Sequence, residues 1–355
     1  MRTLAATFAH GQTLPPDLES LVLTAALDVD MNVREIALGL LCDRNHPALA
    51  ALATAQLDDP DPHVRLLGLN GLKRVKATTS IRRVISLLDE DDPLIVATAL
   101  KLLETWSGET FGVKLRDTTP IENPTTGLKE FSKASRETAK DGATRAKAWW
   151  KAHQPEFPPT LAEIPSTVVK ALKPLRTEDF SLRDLTGRRL GLKELRGKVV
   201  LLNFWTSWCS ACLSEMPELT ALQSRHPDRL AIIGVSLDFV PDSHGHMGGH
   251  PPVGAEEHSG EGAHERESTS LKNVRQRVAR VVKARGLNYT ILLDENNELG
   301  GRFNGGELPT TVIVDASGNV RRRFVGARSL KVLEAMLAEA GLQVSLDSDR
   351  STQSK

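Results

Sequence analysis

Hydrophobic and polar residues repeat with a fixed period in the first third of the chain. Three segments can be aligned so that Val33, Val64 and Ile95 fall at equivalent positions, 31 residues apart. Each segment has an apolar helix that ends in Leu, a turn rich in Asp or Pro, and a second helix with apolar residues at helical spacing. Asp can accept hydrogen bonds from the free N–H groups at a helix start, and Pro fits the first turn. The pattern predicts an all-α solenoid in which each repeat buries its apolar face against the next.

A different pattern starts near residue 180. Continuous apolar runs over 198–205 and 230–239 predict two strands that are covered on both faces of a sheet. A helical segment follows each run, and a hairpin over 310–326 and a helix over 329–340 complete the pattern. Strands that alternate with helices predict an α/β domain with a central mixed sheet flanked by helices.

These patterns divide the 355 residues into two domains. The expected parts are a helical repeat domain over 1–155, a linker over 156–175, an α/β domain over 176–343 and a disordered tail over 344–355. Residues 107–160 are less regular and predict loops and a broken polar helix that ends in Trp149-Trp150. Two adjacent tryptophans at a helix end favour packing against the solenoid. The clustered prolines of the linker predict a semi-rigid segment.

Composition excludes several classes of function. Lys and Arg number 45, and so do Asp and Glu, so the chain has no net charge. A general electrostatic affinity for nucleic acid or anionic membranes is therefore excluded. Aromatic residues make up 4%, which argues against a base-stacking surface. No apolar run reaches the length of about 18 residues that a transmembrane helix needs.

The chemistry of the α/β domain centres on two cysteines. Cys209 and Cys212 stand three residues apart, where the first apolar run gives way to a helix. The positive end of a helix dipole lowers the pKa of a thiol at that place. We therefore interpret Cys209 as the attacking thiol and Cys212 as the resolving thiol of a redox-active pair. A zinc site would need a second Cys or Cys/His pair, and a c-type haem site would need His where Leu213 stands.

A histidine-rich insertion over 241–269 interrupts the α/β domain. It contains many Gly and acidic residues. Because successive parallel strands end at one edge of a sheet, we expect it to leave the same edge as Cys209. Two interpretations stay open. Low hydrophobicity favours a solvated loop, while imidazoles beside Met247 could bind copper, nickel or zinc. The candidate ligands are His244, His246 and His250.

Two resemblances to known families follow from these motifs. The segment "DPDPHVR" over 59–65 resembles short HEAT-like repeats, which implies protein binding on a concave surface, although the third copy has Val96 in place of Arg. The segments "LLNFWTSWCSACLSEMPEL" and "LPTTVIVDASGNV" resemble thioredoxin-like thiol–disulfide oxidoreductases of the TlpA/ResA (redoxin) type. The second resemblance covers about residues 175–342.

The redoxin resemblance implies roles for further residues. It implies that Pro309 follows a cis peptide bond that faces the disulfide, and that Trp208, Leu308 and Thr310 contact substrate. Glu215 matches the acidic residue of this branch and would tune or relay a proton. The alternative for Glu215 is an exposed helix carboxylate.

Two departures limit what the resemblance implies. Asn203 stands where thioredoxin has Asp, so that proton relay is missing. The dipeptide Ser210-Ala211 contains neither Pro nor His, and this dipeptide influences the redox potential, so the direction of exchange stays open.

The leading hypothesis is a thiol–disulfide oxidoreductase that acts as a reductant of protein disulfides, with roles in redox homeostasis and cytochrome c maturation. It would need an electron-donor protein and no cofactor besides its disulfide, and its repeats would bind a protein partner. The alternatives are a HEAT-repeat scaffold with a docking redox fold, and a metal-handling protein. The resemblance favours an extracytoplasmic location, whereas the weak apolar stretch over 4–9 indicates the cytoplasm.

Overall fold

The computed structural model describes residues 14–118, 120–122, 129–157, 163–164, 166–172, 174–239 and 262–343. The chain forms two compact units, Met1–Lys173 and Pro174–Lys355. Each unit has its own hydrophobic core. Among the described residues, no helix combines the length and the apolar character that crossing a bilayer requires.

The first unit is mainly helical. Its α-helices are α1 (Pro16–Ala25), α2 (Met31–Asp43), α3 (Leu49–Ala55), α4 (Pro62–Val75), α5 (Ile81–Ser86), α6 (Pro93–Ser107), α7 (Lys133–His153) and α8 (Ser166–Ala171). A short hairpin joins α6 to α7 and consists of β1 (Ile121–Glu122) and β2 (Lys129–Glu130). The sequence predicted a loop at this hairpin.

The helix starts of this unit repeat with the period seen in the sequence. Asp30, Asp61 and Asp92 are the N-cap residues of α2, α4 and α6. Each side chain accepts a hydrogen bond from the backbone N–H two residues later, at 2.9–3.0 Å. The equal geometry at equal spacing supports a repeated helical unit, and its HEAT-like character stays a prediction.

Two arginines connect successive repeats. Arg34 donates to the backbone oxygen of Asp28 and, at 3.1 Å, to the carboxylate of Asp59 in the next repeat. Arg65 likewise donates to the backbone oxygen of Asp59 and, at 3.2 Å, to Glu90. At the third position Val96 is buried instead. Helix α7, which is no further copy of the repeat, packs against α6.

The rest of the first unit is more ordered than the sequence predicted. The predicted broken polar helix is one continuous helix, α7, because Ala139, Ala143 and Ala146 give it a regular buried face. Near its end, Trp149 and Trp150 contact Phe157 with ring centroids 5.8 and 5.6 Å apart. The expected linker contains α8, whose Val168 is 4% exposed. A buried valine holds this segment against the helices, so it is not an extended spacer.

The second unit contains an eight-stranded mixed sheet. The strands are β3 (Leu175–Arg176), β4 (Ser181–Asp184), β5 (Arg189–Gly191), β6 (Val199–Trp205), β7 (Leu230–Ser236), β8 (Thr290–Leu293), β9 (Thr310–Val314) and β10 (Asn319–Val325). Their order in the sheet is β3-β10-β9-β6-β7-β8-β4-β5. The helices are α9 (Ser210–Arg225), α10 (Gly262–Arg285), α11 (Glu298–Arg302) and α12 (Leu330–Glu339).

The central strand β6 is fully buried, as its continuous apolar run predicts. It pairs in parallel with β7 and antiparallel with β9. The carboxyl ends of β6 and β7 therefore meet the start of β9 at one edge of the sheet. That edge leads directly into the cysteine pair.

The insertion differs in part from its predicted form. Helix α10 begins at Gly262, eight residues before the predicted start near Ser270, so the insertion is shorter than 241–269. An Ala-His-Glu-Arg-Glu sequence can form a helix, and the sequence-based boundary followed only the first apolar residues. Residues 240–261, with His244, His246 and His250, lie outside the described residues, and so does the predicted tail over 344–355.

Candidate active site

The cysteine pair occupies the junction of β6 and α9. A tight turn over Thr206–Cys209 follows the strand, and the backbone nitrogen of Cys209 donates to the oxygen of Thr206 at 3.3 Å. Helix α9 begins at Ser210, and Cys209 is its N-cap residue. The first turn of the helix therefore presents its free N–H groups to the Cys209 sulfur.

Cys209 and Cys212 form a disulfide with an S–S distance of 2.13 Å. The backbone nitrogen of Cys212 donates to Cys209 Sγ at 3.2 Å. Cys209 is 9% exposed and Cys212 is 1% exposed. The sulfur that receives the N–H is thus also the more accessible one, and a substrate reaches Cys209 before Cys212.

Pro309 lies at the same edge of the sheet. The Leu308–Pro309 peptide bond is cis, as the resemblance implied. Thr310 starts β9 and pairs with Phe204 on β6, so Pro309 stands beside the end of the strand that leads to Cys209. The Thr310 hydroxyl donates to the backbone oxygen of Glu307 and closes the loop before the proline.

Glu215 is buried on the first turns of α9, with 1% of its surface exposed. Asn203 Nδ2 donates to Glu215 Oε2 at 3.1 Å, and the backbone nitrogen of Arg328 donates to Glu215 Oε1 at 3.1 Å. Burial raises the pKa of Glu215 to about 7, although these two donors and the charge of Arg328 act in the opposite direction. The alternative of an exposed carboxylate is wrong. The Asn203 amide cannot take up a proton. Its hydrogen bond orients the Glu215 carboxyl, which can.

Trp208 and Leu308 border the site. The Trp208 side chain is 50% exposed, which is unusual for so large an apolar residue next to a buried strand. Leu308 is partly buried. In the sequence, Trp208 comes directly before Cys209, and Leu308 comes directly before Pro309. An apolar side chain therefore flanks each of the two segments that meet at this edge of the sheet.

Asp238 anchors the active-site turn, and the sequence analysis did not identify it. Its carboxylate is fully buried and accepts hydrogen bonds from the Ser207 nitrogen at 3.0 Å and the Ser236 hydroxyl at 3.0 Å. The Ser207 hydroxyl adds a bond of 2.5 Å, and Arg277 Nε lies 3.4 Å from the same carboxylate. Asp238 lies just past the carboxyl end of β7, beside the end of β6. This position in the sequence, two residues after a buried strand, is the signal that could have indicated a role at the site.

The site holds no evident metal centre within the described ranges. No group of three or more His, Cys, Asp or Glu side chains is arranged there to bind a metal ion. The candidate ligands His244, His246 and His250 lie outside those ranges, so metal binding by the insertion stays a hypothesis.

Comparisons with known proteins agree with this geometry. Residues 170–337 match the Redoxin family. Over 159 residues the chain is 29% identical to the thioredoxin-like protein YneN of Bacillus subtilis, a match that covers 45% of this chain and 75% of YneN. Over 160 residues it is 28% identical to the thiol-disulfide oxidoreductase ResA of Bacillus cereus, which covers 45% of this chain and 73% of ResA.

A solved structure is also similar. It is a putative thiol:disulfide interchange protein DsbE from Chlorobium tepidum, 21% identical, with a TM-score of 0.35, and the match covers 48% of this chain and 97% of that one. Strand order, cysteine pair and family match together identify the second unit. It is a thioredoxin-like domain that matches the Redoxin family over residues 170–337, and the chain that carries it is a thiol–disulfide oxidoreductase.

Proposed function

We propose that this chain reduces disulfide bonds of other proteins, with Cys209 as the attacking thiol and Cys212 as the resolving thiol. The asymmetry of the pair carries the proposal. Cys209 is the more exposed sulfur and accepts the Cys212 N–H at 3.2 Å. A donated N–H at a helix N-terminus stabilises a thiolate more than a thiol, so it favours nucleophilic attack by Cys209.

The exchange proceeds in two steps with the reduced enzyme. The Cys209 thiolate attacks one sulfur of the substrate disulfide, and the other substrate sulfur leaves as a thiolate. Cys212 then attacks Cys209 Sγ, which forms the enzyme disulfide and releases the second substrate thiolate. Two electrons pass from the enzyme to the substrate, and the two protons lost by the enzyme thiols balance the two substrate thiolates. A second dithiol protein must then reduce the enzyme, and no further cofactor takes part.

Glu215 supplies the proton acceptor for the second step in this proposal. A buried carboxyl with a pKa of about 7 changes its protonation near neutral pH, which is the range a general acid or base needs. It lies one helical turn after Cys212, whose thiol must lose its proton before it attacks.

Cis-Pro309, with Leu308 and Thr310, offers the backbone surface for an extended substrate segment, and Trp208 offers an apolar contact.

The first unit serves as a partner-binding module in this proposal. Its three Asp-capped helices and the arginine bridges between them support a stacked, HEAT-like array, and such arrays present extended surfaces to other proteins. It would bring the redox domain to a particular client protein or to its electron donor.

The reduction potential of the full chain tests the direction of exchange. The oxidised protein is equilibrated with mixtures of reduced and oxidised dithiothreitol, and the Cys209–Cys212 disulfide is quantified by alkylation and mass spectrometry. We expect a midpoint at or below about −250 mV, close to that of thioredoxin. A midpoint near about −120 mV would identify an oxidant instead. If the Cys209–Cys212 pair shows no reversible oxidation and reduction, the proposal fails. The alternative of a scaffold protein, in which the helical unit carries the function, would then be favoured.

A further inference from the structure

The loop between β10 and α12 contacts two parts of the site at once. The backbone nitrogen of Gly326 donates to the oxygen of Pro309 at 2.7 Å. Two residues later, the backbone nitrogen of Arg328 donates to Glu215 Oε1 at 3.1 Å. One short stretch of chain therefore binds both the cis-proline segment and the buried carboxyl.

The side chain of Arg328 shapes this loop. It is 6% exposed, and its Nη1 donates to the backbone oxygens of Val325, Gly326 and Ala327 at 3.1, 3.0 and 3.2 Å. Its guanidinium carbon lies 4.9 Å from the ring centroid of Phe324. Three consecutive carbonyl groups converge on one charged donor, which fixes the direction of every N–H in the loop, including the two that reach Pro309 and Glu215.

The charge of Arg328 also acts on Glu215. Burial is the main cause that raises the pKa of this carboxyl, and the Arg328 N–H, the Asn203 amide and the Arg328 charge each lower it, in that order. Glu218 raises it from the same helix. On the sheet side, Tyr289 has its own pKa raised by burial and by the charge of Glu215. Arg328 therefore lowers the pKa of Glu215 in two ways, through its backbone N–H and through the positive charge of its side chain.

We propose that Arg328 is a positioning residue for thiol exchange: its guanidinium holds the 325–328 loop so that Glu215 and cis-Pro309 keep fixed places beside the cysteine pair. This inference rests on the proposed function, because it assigns Arg328 a task only if Glu215 serves the resolving step. It also explains why a buried guanidinium turns back on its own loop. Movement of the proline segment on substrate docking would then reach Glu215 through the three residues 326–328.

Rates of thiol alkylation and of disulfide exchange across pH 5 to 9 test the proposal in the reduced full chain. The variants are Arg328→Met, which removes the charge and the donors, and Arg328→Lys, which keeps the charge but loses the planar guanidinium. Arg321→Met is the matched control, because Arg321 is an exposed residue of β10, the strand that leads into this loop. Glu215→Gln identifies which inflection of the profile belongs to Glu215.

We expect Arg328→Met to move the Glu215 inflection to higher pH and to slow exchange at pH 7 by roughly tenfold, the effect of losing one hydrogen bond to a charged group. Arg328→Lys should move the inflection less, and Arg321→Met should leave it in place. In the Glu215→Gln background, Arg328→Met should shift no inflection.

Two other results have separate meanings. If Arg328→Met and Arg328→Lys lower the melting temperature but leave the inflection in place, Arg328 is only structural and the inference is wrong. If the unmodified chain shows no exchange, or no inflection that Glu215→Gln removes, the proposed function itself fails. The circular dichroism spectrum of each variant decides whether it is folded, and the lysine variant keeps the test informative if the methionine variant is not.

Discussion

The backbone nitrogen of Cys212 donates a hydrogen bond to Cys209 Sγ at 3.2 Å, from the first turn of a helix that begins one residue after Cys209. The bond is directional, because Cys209 receives the N–H and Cys212 supplies it. It therefore lowers the cost of a negative charge on one sulfur and not on the other. Together with the greater exposure of Cys209, this hydrogen bond predicts that Cys209→Ser and Cys212→Ser affect disulfide exchange differently.

Cys209→Ser should abolish disulfide exchange, because the sulfur that attacks the substrate is missing. Cys212→Ser should leave the attack intact and block the resolving step, so mixed disulfides with substrate accumulate. Non-reducing electrophoresis and mass spectrometry of each full-length variant with a disulfide-bonded substrate measure both outcomes. Cys42→Ser is the control, since Cys42 is a free cysteine of the first unit. Accumulation on Cys209→Ser instead would reverse the two roles.

Glu215 should make stability depend on pH in a defined direction. Burial raises its pKa from 4.5 to about 7, so the folded domain binds this proton more tightly than the unfolded chain does. Its stabilising contribution is therefore complete below pH 4.5 and is lost as the pH rises through 7. Relative to Glu215→Gln, which does not titrate, the protein should lose roughly 3 kcal/mol of unfolding free energy across this range.

Urea unfolding of the oxidised chain at a series of pH values measures this difference. Hydrogen exchange of the β6 amides restricts the readout to the second unit. Glu178→Gln is the control, because Glu178 is an exposed carboxylate of the same unit. Parallel stability curves for the protein and Glu215→Gln would mean that the carboxyl has an ordinary affinity for its proton.

The sequence predicts the parts of the site that depend on local order along the chain. The apolar run over 198–205, the cysteine spacing and the helix after it fix the strand–turn–helix around Cys209 without distant contacts. The environment of Glu215 depends on partners 12 and 113 residues away, Asn203 and Arg328. Helical spacing alone does not tell which face of α9 packs against these partners. The sequence therefore could not decide whether the Glu215 carboxyl is buried or exposed.

Asp238 shows the same limit at the same edge of the sheet. Its partner Ser207 is 31 residues earlier in the chain. The order of parallel strands brings their carboxyl ends together, but the register between them sets which two residues meet. In the first unit the helix starts were predictable, because each needs only the Asp before it. The continuity of α7 was not, because its buried alanines need the neighbouring helices.

Substitution of Asp238 should loosen the active-site turn. Asp238→Ala leaves the Ser207 nitrogen, the Ser207 hydroxyl and the Ser236 hydroxyl without their buried acceptor. An unmet buried donor costs about 1–3 kcal/mol, so we expect the second unit to lose roughly 3 kcal/mol of stability. Exchange by the protein that remains folded should also slow, because Ser207 precedes Trp208 and Cys209. Chemical unfolding and exchange rates measure the two effects.

Asp228→Ala is the control for this substitution, because Asp228 lies in an exposed turn of the same unit. Ser207→Ala separates the contributions, since it removes the hydroxyl bond and keeps the backbone bond. Normal stability of Asp238→Ala would show that solvent replaces the carboxylate, and that the turn is held by the strand ends alone.

Two glycines within helices of the first unit should respond in opposite directions to alanine. Gly39 in α2 has open space where a Cβ atom would lie, so Gly39→Ala should stabilise the unit by about 0.5–1 kcal/mol through helix propensity. Gly68 in α4 lies against the end of α3, and a Cβ there would be 2.6 Å from the backbone oxygen of Ala53. A backbone oxygen cannot turn aside as a side chain can, so Gly68→Ala should destabilise by roughly 1–3 kcal/mol.

Thermal unfolding of the full chain, followed by helical circular dichroism, measures both substitutions in one host. The comparison cancels the propensity term, because each variant gains the same methyl group inside a helix. The difference in sign then reports the close approach of α4 to α3, which is the contact that pairs the two helices of one repeat. If Gly68→Ala stabilised the unit as Gly39→Ala does, α4 would have to lie farther from α3, and the helical pair from which the partner-binding proposal builds its repeat array would lose its support.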